Sequence, residues 1–202
     1  RFCGAGVETC VLSPNNTTFQ AERRFPTSSP LPGAIDGRRP ADLHLEAISG
    51  SDPVGVYFAQ AMQAEAASIE SFHILEDELR HHGAGRELIQ AAQRAARDEI
   101  RHTKMTRALA ERFGATATAP TVVRHAVRPL FEIAKENLVE GCVRETFSAL
   151  LATWQAEQAE DPAIRGAMQR IAADELRHAE LAWAVAAWVN PRLSAAEHEA
   201  LD

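Results

Sequence analysis

The sequence predicts an all-α protein: a four-helix bundle with one long crossover, preceded by an irregular N-terminal arm. Three observations carry this. After Pro53 the chain consists largely of Ala, Leu, Glu, Gln and Arg, which are strong helix formers. Apolar residues recur there at intervals of three and four in four long windows. The breaks between those windows are unequal: short, long, short.

The windows span about Val54 to His82, Gly85 to Phe113, Arg128 to Glu160 and Pro162 to Val189. The first break is His82-Gly83-Ala84-Gly85 and the last is Glu160-Asp161-Pro162, so each flanking pair of windows should fold as an antiparallel hairpin. The middle break, Gly114 to Val127, holds Gly, Thr, Pro and β-branched residues over 14 positions. Fully extended at about 3.3 Å per residue it reaches roughly 46 Å, and a helix of about 28 residues is roughly 42 Å long. The connection can therefore run the length of the bundle and leave the second and third helices parallel, unlike a simple up-down-up-down bundle. On this reading residues 53–190 form the bundle and 191–202 a C-terminal tail.

Residues 1–52 are rich in Gly, Pro, Ser, Thr and Asn, punctuated by Pro14, Pro26, Pro30, Pro32 and Pro40, and hold no periodicity for the length of an element. They read as an extended arm or linker, lying across the bundle or joining it to an upstream segment. His44 in this arm is a weak ligand candidate beside its plainer reading as an exposed loop histidine. Cys3, Cys10 and Cys142 are too few for a disulfide scaffold and form no CxxC metal pair. Cys3 and Cys10 could close a small loop in an oxidising compartment, and the sequons within Asn15-Asn16-Thr17-Thr18 matter only in a eukaryotic secretory setting.

The composition is that of one globular domain: 202 residues, 46% hydrophobic and 24% charged. Lys plus Arg number 21 against 28 Asp plus Glu, a formal net charge of −7, which argues against nucleic acid or anionic membrane as a partner. The longest apolar run, Leu181 to Val189, has nine residues, whereas about 20 are needed to cross a bilayer. The expectation is a soluble protein, cytoplasmic before secreted or periplasmic. Because the chain begins at Arg1, removal of an upstream targeting segment stays open.

The chemistry lies in an internal repeat. EAASIESF at 65–72 matches EGCVRETF at 140–147, and RDEIRH at 97–102 matches ADELRH at 173–178, at offsets of 75 and 76 residues. Each hairpin thus places a Glu on its first helix and a Glu-x-x-His on its second. Residues i and i+3 share a helix face, so Glu99 with His102, and Glu175 with His178, can each direct a carboxylate and an imidazole to one point. Four carboxylates and two imidazoles can hold two divalent ions of a kind suited to mixed N/O ligands, iron or manganese. Two such cations would neutralise four carboxylates that are otherwise costly to bury. The plainer alternative makes these residues solvated helix-surface groups, but two motifs in register, each behind an upstream Glu, argue against it.

With the two Asp-Glu-x-Arg-His strings and the upstream Glu segments, residues 54–190 resemble the ferritin-like superfamily of di-metal carboxylate proteins, closest to bacterial ferritin-like domain proteins of unassigned activity. The resemblance implies Glu65, Glu99, His102, Glu140, Glu175 and His178 as metal ligands. It implies that Asp98 and Asp174 orient His178 and His102 respectively, against the alternative of surface ion pairs with neighbouring Arg. Glu70 and Glu145 also match across the repeat, five residues after Glu65 and Glu140. Five residues turn an α-helix by about 140° net, so both members of a pair should not face one centre without distortion. The earlier pair is preferred for its family-like separations, with Glu70 and Glu145 kept as additional or alternative ligands.

Other residues carry less. His73 follows Glu70 by three, but its counterpart is Ser148. Cys142 reads as a small buried residue, and Trp154, Trp183 and Trp188 as fillers of helix interfaces, although one Trp could relay electrons. Tyr57, the single tyrosine, lies eight residues before Glu65, a poor position for a tyrosyl radical like that of ribonucleotide reductase small subunits.

The resemblance implies a di-iron carboxylate oxidoreductase acting with dioxygen or peroxide on an unidentified small or tethered organic substrate, with two metal ions per chain, iron before manganese. Alternatives are a ferroxidase or iron-handling protein without an organic substrate, and a structural, metal-stabilised helical interaction domain. Lacking CxxC, the chain departs from rubrerythrins. Its short C-terminal tail and long arm depart from storage ferritins. A homodimer through one hairpin face follows by analogy.

Overall fold

The computed structural model describes residues 37–201 and is mostly helical. The expected Cys3–Cys10 loop, the sequons and the first 36 residues of the arm lie outside the described residues. Helix α1 spans Pro53–His81 and α2 spans Arg86–Arg112. Asp52 caps α1 through its carboxylate, which accepts from the amides of Val54 and Gly55, and Pro53 occupies the first turn, where its missing N–H costs nothing. Gly83, at φ +72°, makes the tight reversal into α2, a backbone conformation that glycine adopts without strain.

The third rod is not uniform. It begins as α3, Leu130–Glu136, continues as a nine-residue π-helix over Asn137–Glu145, and ends as α4, Thr146–Gln158. Helix α5 runs over Pro162–Val189, capped by Asp161 and opened by Pro162, as Asp52 and Pro53 open α1. A 3₁₀ turn at Asn190–Arg192 and a short helix α6 at Ala195–Glu199 follow, the latter closed by a Ser194–Glu197 capping box.

Helices α1 and α2 pack as one hairpin and α4 and α5 as another, with α2 against α5 between them. Arg101 meets Asp174 while Arg177 meets Asp98, so α2 and α5 run antiparallel. The second and third rods are therefore parallel, and the connection between Arg112 and Leu130 must travel their length.

The sequence reading contains no strand, yet this connection and the arm pair twice. Leu43–His44 (β1) is antiparallel to Thr121–Val122 (β4), and Ile48–Ser49 (β2) to Thr116–Ala117 (β3). Each ladder has two residues a side, too short to leave a periodic signal, but β-branched Thr, Val and Ile suit such pairing. Residues 37–50 are thus a docked strap. Its largest fully buried side chain is that of Arg38, whose backbone carbonyl accepts from the hydroxyls of Ser68 and Ser71 on α1.

The apolar core comes in two parts. One centres on Phe58, Leu109, Met168 and Ile171, the other on Phe72, Leu75, Leu79 and Val185. In α2 and α5 a short polar segment separates the residues of the two parts, and in α1 the stretch between them carries the buried Gln63, Glu65, Ser68 and Ser71. Among the described residues no helix is long and apolar enough to cross a membrane.

Candidate metal centre

The polar segments between the two apolar clusters meet in one buried layer. Glu65 from α1, Glu99 and His102 from α2, and Glu175 from α5 present ligand-type atoms within 4.8 Å of one another, and so do Glu145, Glu175 and His178. Glu175 belongs to both groups. Glu99, His102 and Glu145 are completely buried.

The two histidines are arranged alike. His102 Nδ1 lies 3.4 Å from Glu65, 3.4 Å from Glu99 and 3.3 Å from Glu175. His178 Nδ1 lies 3.1 Å from Glu99 and 3.5 Å from Glu175. Each ring turns its other nitrogen to an aspartate of the opposite helix: His102 Nε2 is 3.1 Å from Asp174, and His178 Nε2 is 3.4 Å from Asp98. At His102 this contact is a hydrogen bond, which fixes ring orientation and leaves Nδ1 for the interior, whereas at His178 the aspartate is an ion-pair neighbour of Nε2 without a hydrogen bond. The aspartates also hold arginines, Arg101 reaching Asp98 at 2.6 Å and Asp174 at 3.0 Å, and Arg177 reaching both as well. The two readings of these aspartates, histidine partner and arginine partner, coexist.

Every polar residue of the repeated Asp-Glu-x-Arg-His string therefore has a place: Glu and His inside, Asp at the edge, Arg outside it. The arginines were absent from the sequence-derived site; their recurrence in both strings was the available signal.

Glu140 and Glu70 do not join the layer. Glu140 pairs with Arg144 at 2.9 Å and accepts from the Arg39 amide at 3.1 Å. Glu70 pairs with Arg124. Of the matched glutamates on the third rod, the structure brings Glu145, the additional or alternative ligand, together with Glu175 and His178, and leaves Glu140, the preferred one, outside both groups. A π-helix closes its hydrogen bonds five residues apart instead of four, so the rod is underwound over Asn137–Glu145 and the inward position moves along the chain. The sequence reading assumed α-helical rotation throughout. His73 and His44 lie outside both groups, His44 exposed on β1. Cys142 is buried in the π-helix, 3.8 Å from the Asn137 side-chain nitrogen.

Burial and mutual charge shift every ionisable group of the layer. Burial pushes the Glu65 and Glu145 carboxyls well above their ordinary range, with the charges of Glu99 and Glu175 adding to it. Burial would do the same to Glu99, but His102 and His178 outweigh it and hold its carboxyl below the ordinary value; Glu175 is lowered by the same two imidazoles against the same burial. Burial disfavours charge on His102, yet Asp174, Glu175 and Glu65 prevail and keep it protonated far above the usual imidazole range. His178 behaves likewise under Asp98, Glu175 and Glu99.

Both carboxylate oxygens of Glu99, Glu145 and Glu175, and the Nδ1 atoms of His102 and His178, are buried without a hydrogen-bond partner. Unsatisfied buried polar atoms cost about 1–3 kcal/mol each, and more when charged. Four carboxylates and two imidazoles form a donor set that divalent cations would satisfy and neutralise. These residues could hold a metal ion. No family model matches the chain, and no curated protein or solved structure matches it either.

Proposed function

We propose that this chain is a ferritin-like four-helix bundle holding two divalent metal ions, iron before manganese, and that it acts as a di-metal carboxylate oxidoreductase toward dioxygen or peroxide. The observation that carries this reading is the pair of buried Glu/His groups sharing Glu175, in which the oxygens of Glu99, Glu145 and Glu175 and both Nδ1 atoms otherwise have no hydrogen-bond partner. Glu65, Glu99, His102 and Glu175 would hold one ion, and Glu145, Glu175 and His178 the other. Iron at such a site supplies electron transfer to oxygen species.

The chain's own contribution is positional. Asp174, by a hydrogen bond, and Asp98, as an ion-pair neighbour, face the outer nitrogens of His102 and His178 and leave Nδ1 turned inward, so both rings are oriented before any ligand arrives. The apolar clusters on either side exclude water and strengthen every charge interaction in the layer. The protons on the imidazoles and on Glu65 and Glu145 must leave when a cation enters, so binding and proton release are coupled.

The near-complete burial of both groups favours a second reading, in which the metals hold the helices together or are handled without an organic substrate. Anaerobic Fe(II) titration of metal-free protein, followed by rapid mixing with oxygenated buffer, tests both. Two irons per chain with a change in near-ultraviolet absorption on oxygen exposure support an oxygen-reactive centre, and consumption of an added organic reductant or substrate then separates the oxidoreductase from iron handling. Two irons with no response to oxygen support the structural reading. Failure to bind Fe(II) or Mn(II) stoichiometrically overturns both.

A further inference from the structure

The seam between α2 and α5 carries a cavity outside the buried layer. Gly166, Gln169, Arg170, Ala173 and Asp174 of α5 and Arg101 of α2 line it, and its volume is about 460 Å³, within the roughly 300–1,000 Å³ of small-molecule sites. The α5 positions fall at i, i+3, i+4, i+7 and i+8, one face of the helix. The small residues Gly166 and Ala173, two turns apart, leave the hollow: a Cβ at Gly166 would meet no atom within 4 Å.

The charges around this hollow are unequally engaged. Arg101 is committed, reaching Asp98 at 2.6 Å and Asp174 at 3.0 Å, and Asp174 also faces His102 at 3.1 Å. Arg170 and Gln169 are exposed and, among the described residues, their side chains have no ion pair or hydrogen bond. The lining therefore holds one cation more than it holds anions, Arg101 and Arg170 against Asp174. Exposed Glu180 lies six residues beyond Asp174, outside the lining. The whole chain has a formal charge of −7, yet α2 exposes Arg94, Arg97, Arg101 and Lys104 along one stripe, and such a local field draws anions to the seam.

This chemistry selects the ligand. A guanidinium without a partner presents a planar fork of donors, which a carboxylate fills with two parallel charge-assisted hydrogen bonds. The Gln169 amide adds a further donor, and Gly166 and Ala173 offer a bed without polar side chains for a carbon skeleton. One excess positive charge matches one carboxylate, whereas a phosphate dianion would set its second charge against Asp174. We propose that this cavity binds a small organic monocarboxylate, its carboxylate on Arg170 and Gln169 and its carbon skeleton over Gly166 and Ala173. None of the clustered Glu and His residues lines the cavity, so the site stands whether or not the layer holds metal.

Titration of the ¹⁵N-labelled full chain with benzoate, followed by nuclear magnetic resonance, tests this. The expected result is a saturable shift of amides at residues 166–174 with a dissociation constant on the order of 1 mM, the strength of one forked contact on an open site. Benzamide, which has the shape without the charge, and inorganic phosphate should each bind at least about tenfold more weakly. Arg170→Gln should weaken benzoate binding by at least about tenfold, and Arg170→Lys should restore only part of it. Gly166→Leu fills the hollow from a position where the Cβ meets nothing and replaces glycine by a strong helix former, so the fold persists while binding is lost. Arg94→Gln, exposed on α2 outside the lining, should bind as wild type. Absence of a saturable shift, equal binding of benzamide or phosphate, or unchanged affinity in either Arg170→Gln or Gly166→Leu overturns the proposal. So does a seam that takes an acidic protein but no free benzoate.

Discussion

Glu140 and Glu145 share one π-helix, yet Glu145 is wholly buried against Glu175 and His178 while Glu140 is held at the edge by Arg144 and the Arg39 amide. Their separation of five residues is one hydrogen-bonding step of a π-helix, but only the later one reaches the layer. The two therefore respond differently to substitution. Glu145→Ala should lower metal content from two ions per chain toward one, with Glu140→Ala and Glu70→Ala retaining two. Metal analysis after anaerobic loading and desalting reads this directly, and equal loss in Glu140→Ala and Glu145→Ala would refute the assignment.

The aspartates should act on affinity rather than on the number of sites. Asp98 faces His178 and Asp174 faces His102, and replacing the partner of a metal-binding histidine commonly costs about 10–100-fold in affinity. Asp98→Asn and Asp174→Asn are each expected to weaken metal binding by that factor in competition titrations against a chelator. Glu99→Ala or His178→Ala should abolish at least one site.

Gly141 leaves no room for a side chain in the π-helix. A Cβ there would lie 2.7 Å from Asn137 Oδ1, 2.9 Å from the Ala182 Cβ and 3.2 Å from an Arg38 nitrogen. Gly141→Ala should overpack this point and cost about 1–3 kcal/mol, a fall of several degrees in Tm. Thermal melts followed by circular dichroism check it, and an unchanged Tm would mean that the strap yields freely.

Arg38 ties that strap to the rod. Its guanidinium donates to Glu136 at 3.3 Å and to Asn137 Oδ1 at 3.2 Å, with almost no exposure. Arg38→Ala empties a buried volume and strips both partners, although Glu136 keeps Arg128. The expected loss is about 2–3 kcal/mol, measured by urea denaturation, and Arg38→Lys should recover only part of it because lysine cannot reproduce the two-pronged contact.

Asp161 links α2 to α5, and its ion pair makes a pH-dependent contribution to stability on the acid side. Arg112 binds its carboxylate through two nitrogens, at 2.8 and 2.6 Å, and the amides of Ala163 and Ile164 donate to it. Arg112 first, then those amides, hold its carboxyl down at about 2. With an unfolded value near 3.9, the stabilisation is present above that pH and lost as pH falls through the folded value. Asp161→Asn should therefore lower Tm at pH 6 and converge on wild type toward pH 2. A Tm difference independent of pH would assign the effect to helix capping alone.

Much of this molecule is written locally. The capping signals Asp52-Pro53 and Asp161-Pro162 mark two helix starts within a residue, because a cap depends only on neighbours in the chain. The Asp-Glu-x-Arg-His strings fall on facing helices because i,i+3 geometry and the lengths of the two hairpins bring them level. The two-residue ladders were not legible, since pairing of so few residues is decided by the partner strand and leaves no periodicity of its own.

From its sequence alone, then, this protein is a helical chain with four long rods and a repeated Glu plus Glu-x-x-His pattern, because helix propensity, caps and apolar spacing act over a few residues. Tertiary structure decided which glutamate of the third rod enters the layer and where Arg38 lies. A π-helix has no strong local code; its register here is set by Asn137, Gly141, Ala182 and an arginine almost a hundred residues earlier in the chain.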